Sequence, residues 1–131
     1  MTVTILGAGG RMGGALIRGL AQMSDLTLVG AVERKGHAAV GTDAGTAAGL
    51  APLGVAITDD LAKAVRASDA VVDFTLHTEV PATVSLAAEV GAAYVLGTTG
   101  LDPQEQSAVE SAATRIPIVW APNMSLGVNV L

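Results

Sequence analysis

The sequence predicts a single α/β domain built on a doubly wound, parallel sheet of about six strands. Short apolar runs alternate with longer segments of helical periodicity along the 131 residues. The strand-like runs are continuously apolar, which is typical of strands covered by helices on both faces. The first of these runs ends in glycines, and strand and helix alternate from there to the last strand. We therefore expect a ligand beyond the carboxyl ends of the strands.

In the first half, helices are expected where apolar residues recur every three or four positions, and strands where short apolar runs end at glycine or polar residues. Thr58 or Asp59 is expected to cap the third helical segment, because a side-chain oxygen there can accept a free backbone N–H. In order, the elements are a strand at 3–6, a helix at 11–23, a strand at 26–32, a partly helical connection at 34–54, a strand at 55–58 and a helix ending at 66.

The second half repeats this alternation. Its elements are a strand at 70–74, a helix at 78–90, a strand at 93–96, a helix from 103 to about 114 and a strand at 116–120. Gly91 is expected to end the first of these helices, and Asp102 and Pro103 to begin the second, since proline is tolerated at the first helical position. Asp73, buried by its pattern, is expected to cap a neighbouring loop rather than act as a base.

Composition excludes several classes of site. The chain has no cysteine, so disulfides, thiolate catalysis and zinc–thiolate centres are excluded. The net charge is −5 without a basic cluster, so no nucleic-acid partner is expected. No signal peptide or membrane-spanning stretch is present, and a cytoplasmic protein without membrane contact is the expectation. His37 and His77 stand singly, and we expect both to be ordinary loop residues, with no metal site.

The turn after the first strand carries the clearest chemical signal. It reads Gly7-Ala-Gly-Gly-Arg-Met-Gly13, a G-x-x-G-x-x-G spacing variant of the dinucleotide fingerprint in Rossmann-type folds. One glycine makes the tight turn, one admits the pyrophosphate and one lets helix and strand pack closely. The helix then offers free N–H groups and its positive dipole end to the phosphates. We predict that this turn binds a dinucleotide.

Glu33 lies twenty residues after Gly13, at the end of the second predicted strand. A carboxylate there can accept hydrogen bonds from the adenosine ribose hydroxyls. Arg34 follows it, and a guanidinium can bind a 2′-phosphate with two hydrogen bonds and stack on adenine. The pair therefore suits NADH as well as NADPH.

Two further segments follow predicted strands at the ligand side of the sheet. Gly97-Thr-Thr-Gly100 follows the fifth strand, and its backbone groups and hydroxyls could contact the nicotinamide ribose or carboxamide. A tight structural turn with a threonine cap is the alternative for this segment. Ala121-Pro-Asn-Met124 follows the sixth strand, where the fold also places ligands.

Six segments together resemble the N-terminal domain of the 4-hydroxy-tetrahydrodipicolinate reductase family, also called dihydrodipicolinate reductase. In family order and spacing they are Gly7-Ala-Gly-Gly-Arg-Met-Gly13, Ala31-Val-Glu-Arg-Lys-Gly36, Gly41-Thr-Asp-Ala-Gly45, Val72-Asp-Phe-Thr75, Gly97-Thr-Thr-Gly100 and Ala121-Pro-Asn-Met-Ser-Leu-Gly-Val-Asn129. The resemblance implies an oxidoreductase of the diaminopimelate route to lysine. Such an enzyme transfers hydride from NADH or NADPH to a small cyclic dicarboxylate, 4-hydroxy-tetrahydrodipicolinate.

The resemblance also assigns cofactor positions. It implies Glu33 for the adenosine ribose and Arg34 for the 2′-phosphate. Met124 departs mildly from the family's usual residues, and so does the Leu76-His77 pair. The full set that it implies is Gly7, Ala8, Gly9, Gly10, Arg11, Met12, Glu33, Arg34, Gly97, Thr98, Thr99, Ala121, Pro122, Asn123 and Met124.

The resemblance further implies a second domain, which binds the substrate carboxylates, carries a His-rich motif with a catalytic lysine and forms a homotetramer. No such motif occurs in these 131 residues. We therefore expect residues 1–131 to be an NAD(P)-binding domain without catalytic residues and without reductase activity by itself. Two alternatives stay open: a stand-alone nucleotide-sensing module without catalysis, and another enzyme on this fold, such as a methyltransferase that uses S-adenosylmethionine.

Overall fold

The computed structural model describes residues 1–120, and these form the predicted α/β domain. The elements are β1 (Thr2–Leu6), α1 (Arg11–Leu20), β2 (Thr27–Val32), α2 (Ala44–Ala47), β3 (Ile57–Thr58), α3 (Leu61–Arg66), β4 (Ala70–Asp73), α4 (Val80–Val90), β5 (Ala93–Leu96), α5 (Pro103–Ala112) and β6 (Ile118–Trp120). A 3₁₀ turn at His77–Glu79 precedes α4. Within the described range the sheet has six parallel strands in the order β3-β2-β1-β4-β5-β6, which confirms the predicted fold.

The chain begins in the middle of the sheet. β1 pairs with β2 on one side and with β4 on the other, so Ile5 lies opposite both Ala31 and Val72. The later strands extend the sheet outward, β3 from β2 and then β5 and β6 from β4. The direction of winding therefore reverses between β1 and β4, and in this fold the crevice at such a reversal point binds ligands.

Helices cover both faces of the sheet, as the continuously apolar strands predicted. One buried cluster lies under α1 and α2 and includes Val3, Ile5, Ile17, Ala31, Ala44 and Ile57. The other lies under α3, α4 and α5 and includes Val65, Val71, Val84, Tyr94, Leu96 and Val109. No helix within residues 1–120 has the length and apolar character needed to cross a membrane.

Helix α1 is three residues shorter than predicted. It ends at Leu20, and the chain then turns through hydrogen bonds between residues three apart, from Gln22 N to Gly19 O and from Met23 N to Leu20 O. Met23 is 53% exposed. Met23 therefore fits the helical spacing of apolar residues in the sequence, although it lies after the helix and does not face the core.

The predicted cap of α3 is also wrong. The Asp60 side chain, not that of Thr58 or Asp59, accepts the backbone N–H of Lys63 at 3.2 Å. The Thr58 hydroxyl instead accepts the N–H of Asp60. Helix α4 begins two residues later than predicted, with Pro81 in its first turn, where the missing N–H of proline costs no helical hydrogen bond.

The two outer strands are shorter than predicted because the residues before them are hydrogen-bonded elsewhere. Before β3, the N–H of Val55 is donated to the carboxylate of Asp43. Before β6, the N–H of Ile116 is donated to the carbonyl of Ala112, so Ile116 lies in the turn that follows α5.

Asp43 organises the connection between β2 and β3. Its carboxylate accepts the backbone N–H groups of Thr46, Leu53, Gly54 and Val55, at 3.0, 3.0, 2.8 and 3.2 Å. The hydrogen bond from Leu53, followed by that from Thr46, lowers the pKa of Asp43 from 3.8 to about 2. The Asp43 side chain therefore caps α2 and holds residues 53–55, which lead into β3, next to the start of that helix.

Candidate functional site

A cavity of about 540 Å³ opens at the carboxyl ends of β1, β2 and β4, where the sheet reverses direction. The glycine turn forms one wall and the segment after β4 forms the opposite one. Charged side chains of the segment after β2 stand at the rim, among them Glu33, Arg34 and Lys35. The cavity therefore lies where the fold class predicts the ligand.

The glycine turn is held tightly against the end of β2. Gly7 has a φ of +84°, a conformation that favours glycine. The N–H groups of Gly7 and Ala8 both donate to the carbonyl of Val32, at 2.9 and 3.1 Å. The N–H of Gly10 then closes the turn on the carbonyl of Gly7 at 3.1 Å.

The glycines of this turn serve different purposes. A Cβ atom on Gly13 would lie 2.2 Å from Gly7 O and 2.8 Å from Ala8 Cα, so only glycine lets α1 pack on the turn. A Cβ on Gly9 would lie 2.6 Å from Cε1 of His37. At Gly10, by contrast, an added Cβ would lie 3.4 Å from the carbonyl oxygen of Gly7, an ordinary van der Waals distance. The fold therefore tolerates a side chain at residue 10, and its absence leaves room on the cavity side.

The N-terminus of α1 presents free hydrogen-bond donors to this space. The N-cap residue is Gly10, which has no side chain to cap the helix. The first N–H of the helix with an acceptor in the described part of the chain is that of Gly14, which donates to Gly10 O. Those of Arg11, Met12 and Gly13 have no such acceptor within residues 1–120. Together with the positive end of the helix dipole, these three donors suit an anionic group.

Glu33 lies against the glycine turn. Its Oε2 accepts the N–H of Gly9 at 2.7 Å, and its Oε1 accepts the N–H of Arg34 at 3.3 Å. The donor of Gly9 is thus already used, and the donors that remain in the described residues are those of the first turn of α1, next to Gly10, which lines the cavity. Arg34 and Lys35 are exposed at the cavity rim.

His37 lies in a loop, as expected, and it also lines this cavity, which the sequence did not indicate. The ring lines the cavity, and its Nε2 lies 3.9 Å from Oε1 of Glu33. The chain folds back through a turn in which the N–H of His37 donates to the carbonyl of Arg34, with Gly36 at φ +82°. The glycine before His37 is the signal in the sequence that such a turn returns the ring to the end of β2.

The end of β4 is fixed by a buried carboxylate. Asp73 is fully buried, and it accepts the N–H and the hydroxyl of Thr75, at 2.9 and 2.6 Å. It also accepts the hydroxyl of Tyr94, and burial, with the adjacent Asp73 charge, raises the pKa of that phenol. Asp73 therefore shapes the loop that carries Phe74 and Thr75 into the cavity wall.

The Gly97–Gly100 segment supports that wall from behind. A Cβ on Gly97 would lie 2.1 Å from the Phe74 ring, so this glycine makes room for the ring. The buried Thr98 donates its hydroxyl to the carbonyl of Thr75 at 2.9 Å, and its own carbonyl accepts the indole N–H of Trp120 at 3.3 Å. Thr99 is exposed. These contacts join the segment to Phe74, Thr75 and Trp120, and contact of this segment with nicotinamide stays a prediction. The predicted positions Ala121, Pro122, Asn123 and Met124 lie outside the described residues.

His77 also has a carboxylate partner, Glu105, although nothing in the sequence indicated one. Its Nδ1 lies 2.8 and 3.0 Å from the two carboxylate oxygens of Glu105. Glu105 is buried and forms a capping box at the start of α5 with Asp102. In the described part of the chain, no three His, Asp or Glu side chains cluster as metal ligands would.

Comparison with known proteins gives a family match. A family model described as dihydrodipicolinate reductase, N-terminus, matches residues 1–124. A relative named 4-hydroxy-tetrahydrodipicolinate reductase from Anaeromyxobacter sp. (strain Fw109-5) is 51% identical over 131 residues, which are all of this chain and 48% of that protein. A relative of the same name from Rhizobium meliloti is 48% identical over all of this chain and 54% of its own length. The chain thus spans about half the length of these relatives.

Solved structures show the same fold at low sequence identity. The dipicolinate-bound dihydrodipicolinate reductase from Paenisporosarcina sp. TG-14 matches 97% of this chain and 49% of its own, with a TM-score of 0.76 and 20% identity. An amine dehydrogenase from Mycobacterium smegmatis matches 91% of this chain and 37% of its own, with a TM-score of 0.65 and 23% identity.

Proposed function

Because the chain belongs to the family of dihydrodipicolinate reductase N-terminal domains, we propose that it binds NADH or NADPH for reduction of 4-hydroxy-tetrahydrodipicolinate. One observation carries the proposal. Three backbone N–H groups without acceptors within residues 1–120 stand at the start of α1, beside a cavity at the reversal point of the sheet. This arrangement suits the pyrophosphate of a dinucleotide.

The residues of the turn hold the two phosphates through backbone groups. The N–H groups of Arg11, Met12 and Gly13 donate to phosphate oxygens, and the missing side chain of Gly10 lets the phosphates approach them. Ala8 and Gly9 shape the turn from which the helix starts. The bound dinucleotide supplies the hydride, while the protein supplies its position and surroundings.

The end of β2 binds the adenosine half. Glu33 accepts the ribose hydroxyls of NADH, and Arg34 donates to the 2′-phosphate of NADPH. The carboxylate repels a 2′-phosphate and the guanidinium attracts it, so we expect both nucleotides to bind. Lys35 adds a second cation at the cavity rim.

The nicotinamide half lies towards the carboxyl ends of β4, β5 and β6. Phe74 and Thr75 line the cavity on this side. Gly97 and Thr98 support that wall, and the family resemblance implies that Thr99 and the residues Ala121 to Met124 contribute contacts to the nicotinamide half. We expect the 131 residues by themselves to bind the dinucleotide without reducing the dicarboxylate, since the catalytic motif that the resemblance implies does not occur in them.

Titration calorimetry tests the proposal. The 131-residue chain is titrated with NADH, NADPH and S-adenosylmethionine, and we expect micromolar binding of the first two and none of the third. If neither NADH nor NADPH binds, the proposal is contradicted. Binding of S-adenosylmethionine alone would favour a methyltransferase. Incubation with NADPH and the dicarboxylate then tests activity, and turnover by these residues alone would contradict only the expected lack of activity.

A further inference from the structure

We propose that His37 is a positioning residue that favours NADH over NADPH by holding the Glu33 carboxylate against the glycine turn. The inference rests on the proposed function, because it assigns His37 a part in adenosine recognition at the same site. It starts from a contact that the sequence did not reveal. The two side chains form one small cluster over Gly9, at the mouth of the cavity.

The imidazole of His37 is fixed in place. Its Nδ1 accepts the backbone N–H of Ala39 at 3.0 Å. Its Cε1 occupies the space beside Gly9, only 2.6 Å from where a Cβ on that residue would lie. The side chain is 22% exposed and that of Glu33 is 10% exposed. The ring and the carboxylate therefore lie beside each other against Gly9, whose N–H donates to Glu33 Oε2.

The bond to Ala39 also fixes which ring nitrogen carries the proton. Because Nδ1 accepts the N–H of Ala39, this hydrogen bond leaves Nε2 as the ring nitrogen that carries a proton. The Nε2–H group then lies on the side of Glu33, with Nε2 3.9 Å from Oε1. This distance exceeds a direct hydrogen bond. The ring therefore acts by restricting the space open to the carboxylate and by presenting a donor to it.

Restriction of Glu33 matters differently for the two nucleotides. For NADH the carboxylate is an acceptor for ribose hydroxyls, so a carboxylate already held in position loses less conformational freedom on binding. For NADPH the same carboxylate faces a 2′-phosphate of like charge, and its restriction brings no benefit. Removal of the ring should therefore weaken NADH binding selectively. If His37 had only a structural role, its removal would weaken the binding of NADH and NADPH alike.

The experiment measures Kd for NADH and NADPH by calorimetric titration of the 131-residue chain at pH 8. For His37→Ala we expect the Kd for NADH to rise about three- to tenfold, the range that the ordering of one side chain accounts for. The Kd for NADPH should change less than about twofold. His37→Gln keeps an N–H donor in a similar place and should retain most of the NADH affinity.

A second background tests whether His37 acts through Glu33. In a Glu33→Ala chain, the further change His37→Ala should leave the Kd for NADH unaltered, because the carboxylate to be positioned is gone. Thermal melting of each variant checks that the fold is retained. Equal losses for both nucleotides, or an undiminished effect of His37→Ala in the Glu33→Ala chain, would overturn the inference alone. Binding of neither nucleotide to the unmodified chain would overturn the proposed function and the inference with it.

Discussion

Gly13 packs directly against the carbonyl of Gly7, and a Cβ on Gly13 would lie 2.2 Å from that oxygen. Gly13→Ala must push α1 away from the turn, and we expect the free energy of unfolding to fall by about 1–3 kcal/mol or more, as in an overpacked core. Urea denaturation measures this. Gly19→Ala is the matched control in the same helix, since an added Cβ there meets no atom within 4 Å. Equal stability of the two variants would contradict this account of Gly13.

Gly10→Ala separates binding from folding. Its added Cβ would lie 3.4 Å from Gly7 O, so we expect stability close to that of the unmodified chain. The methyl group nevertheless occupies the space through which phosphates reach the start of α1. Loss of one hydrogen bond to a charged group is worth about 1.5–3 kcal/mol, so dinucleotide affinity should fall by about tenfold or more. Calorimetry measures it, again with Gly19→Ala as control, and unchanged affinity would remove Gly10 from the site.

The sheet could be predicted from the sequence because its signals are local. Continuously apolar runs, such as Ala93–Leu96, mark parallel strands without knowledge of their neighbours. The glycine turn and Glu33 could be predicted because their spacing along the chain is itself the signal. His37 could not, since its role depends on a turn that brings the ring back to Glu33. The same limit applies to Asp43, whose four hydrogen bonds from backbone N–H groups come from residues up to twelve positions away.

Protonation of Asp43 at low pH should weaken the hydrogen bonds that order the connection between β2 and β3 and so lower the stability of the fold. The pKa of Asp43 is lowered from 3.8 to about 2 in the fold, so the carboxylate stabilises the native state above about pH 4, and this stability is lost as pH falls towards 2. Asp43→Asn should therefore lower the melting temperature at pH 6 and reduce the further decrease between pH 4 and 2. Asp25→Asn is the control, because the Asp25 side chain accepts no hydrogen bond within residues 1–120. Parallel pH profiles for the unmodified chain and Asp43→Asn would contradict the prediction.

Tyr94→Phe removes a donor from the buried carboxylate of Asp73. We expect the free energy of unfolding to fall by about 1–3 kcal/mol at pH 8, the cost of leaving a buried acceptor without its partner. The raised pKa of Tyr94 adds a second expectation. The contribution of the raised pKa to the free energy of unfolding is complete below the unfolded pKa of about 10. It is lost as pH rises further, because only the unfolded chain then releases the phenol proton. Denaturant titrations at pH 8 and 10.5 should show a steeper decrease for the unmodified chain than for Tyr94→Phe, and equal decreases would refute this.

Arg34→Ala should weaken NADPH more than NADH. The Arg34 side chain is exposed at the cavity rim and pairs with no carboxylate within residues 1–120, so it is available to a 2′-phosphate. Loss of its charge-assisted hydrogen bonds should raise the Kd for NADPH by about tenfold or more, with little change for NADH. Lys35→Ala removes the same charge from the neighbouring residue, and Arg66→Ala removes one from α3, away from the cavity. Only the guanidinium can form two parallel hydrogen bonds with a phosphate, so we expect a larger loss of NADPH affinity from Arg34→Ala than from Lys35→Ala. Equal losses from the two changes would show that attraction by net charge explains the effect. Equal losses of NADH and NADPH affinity in Arg34→Ala would remove this residue from 2′-phosphate recognition.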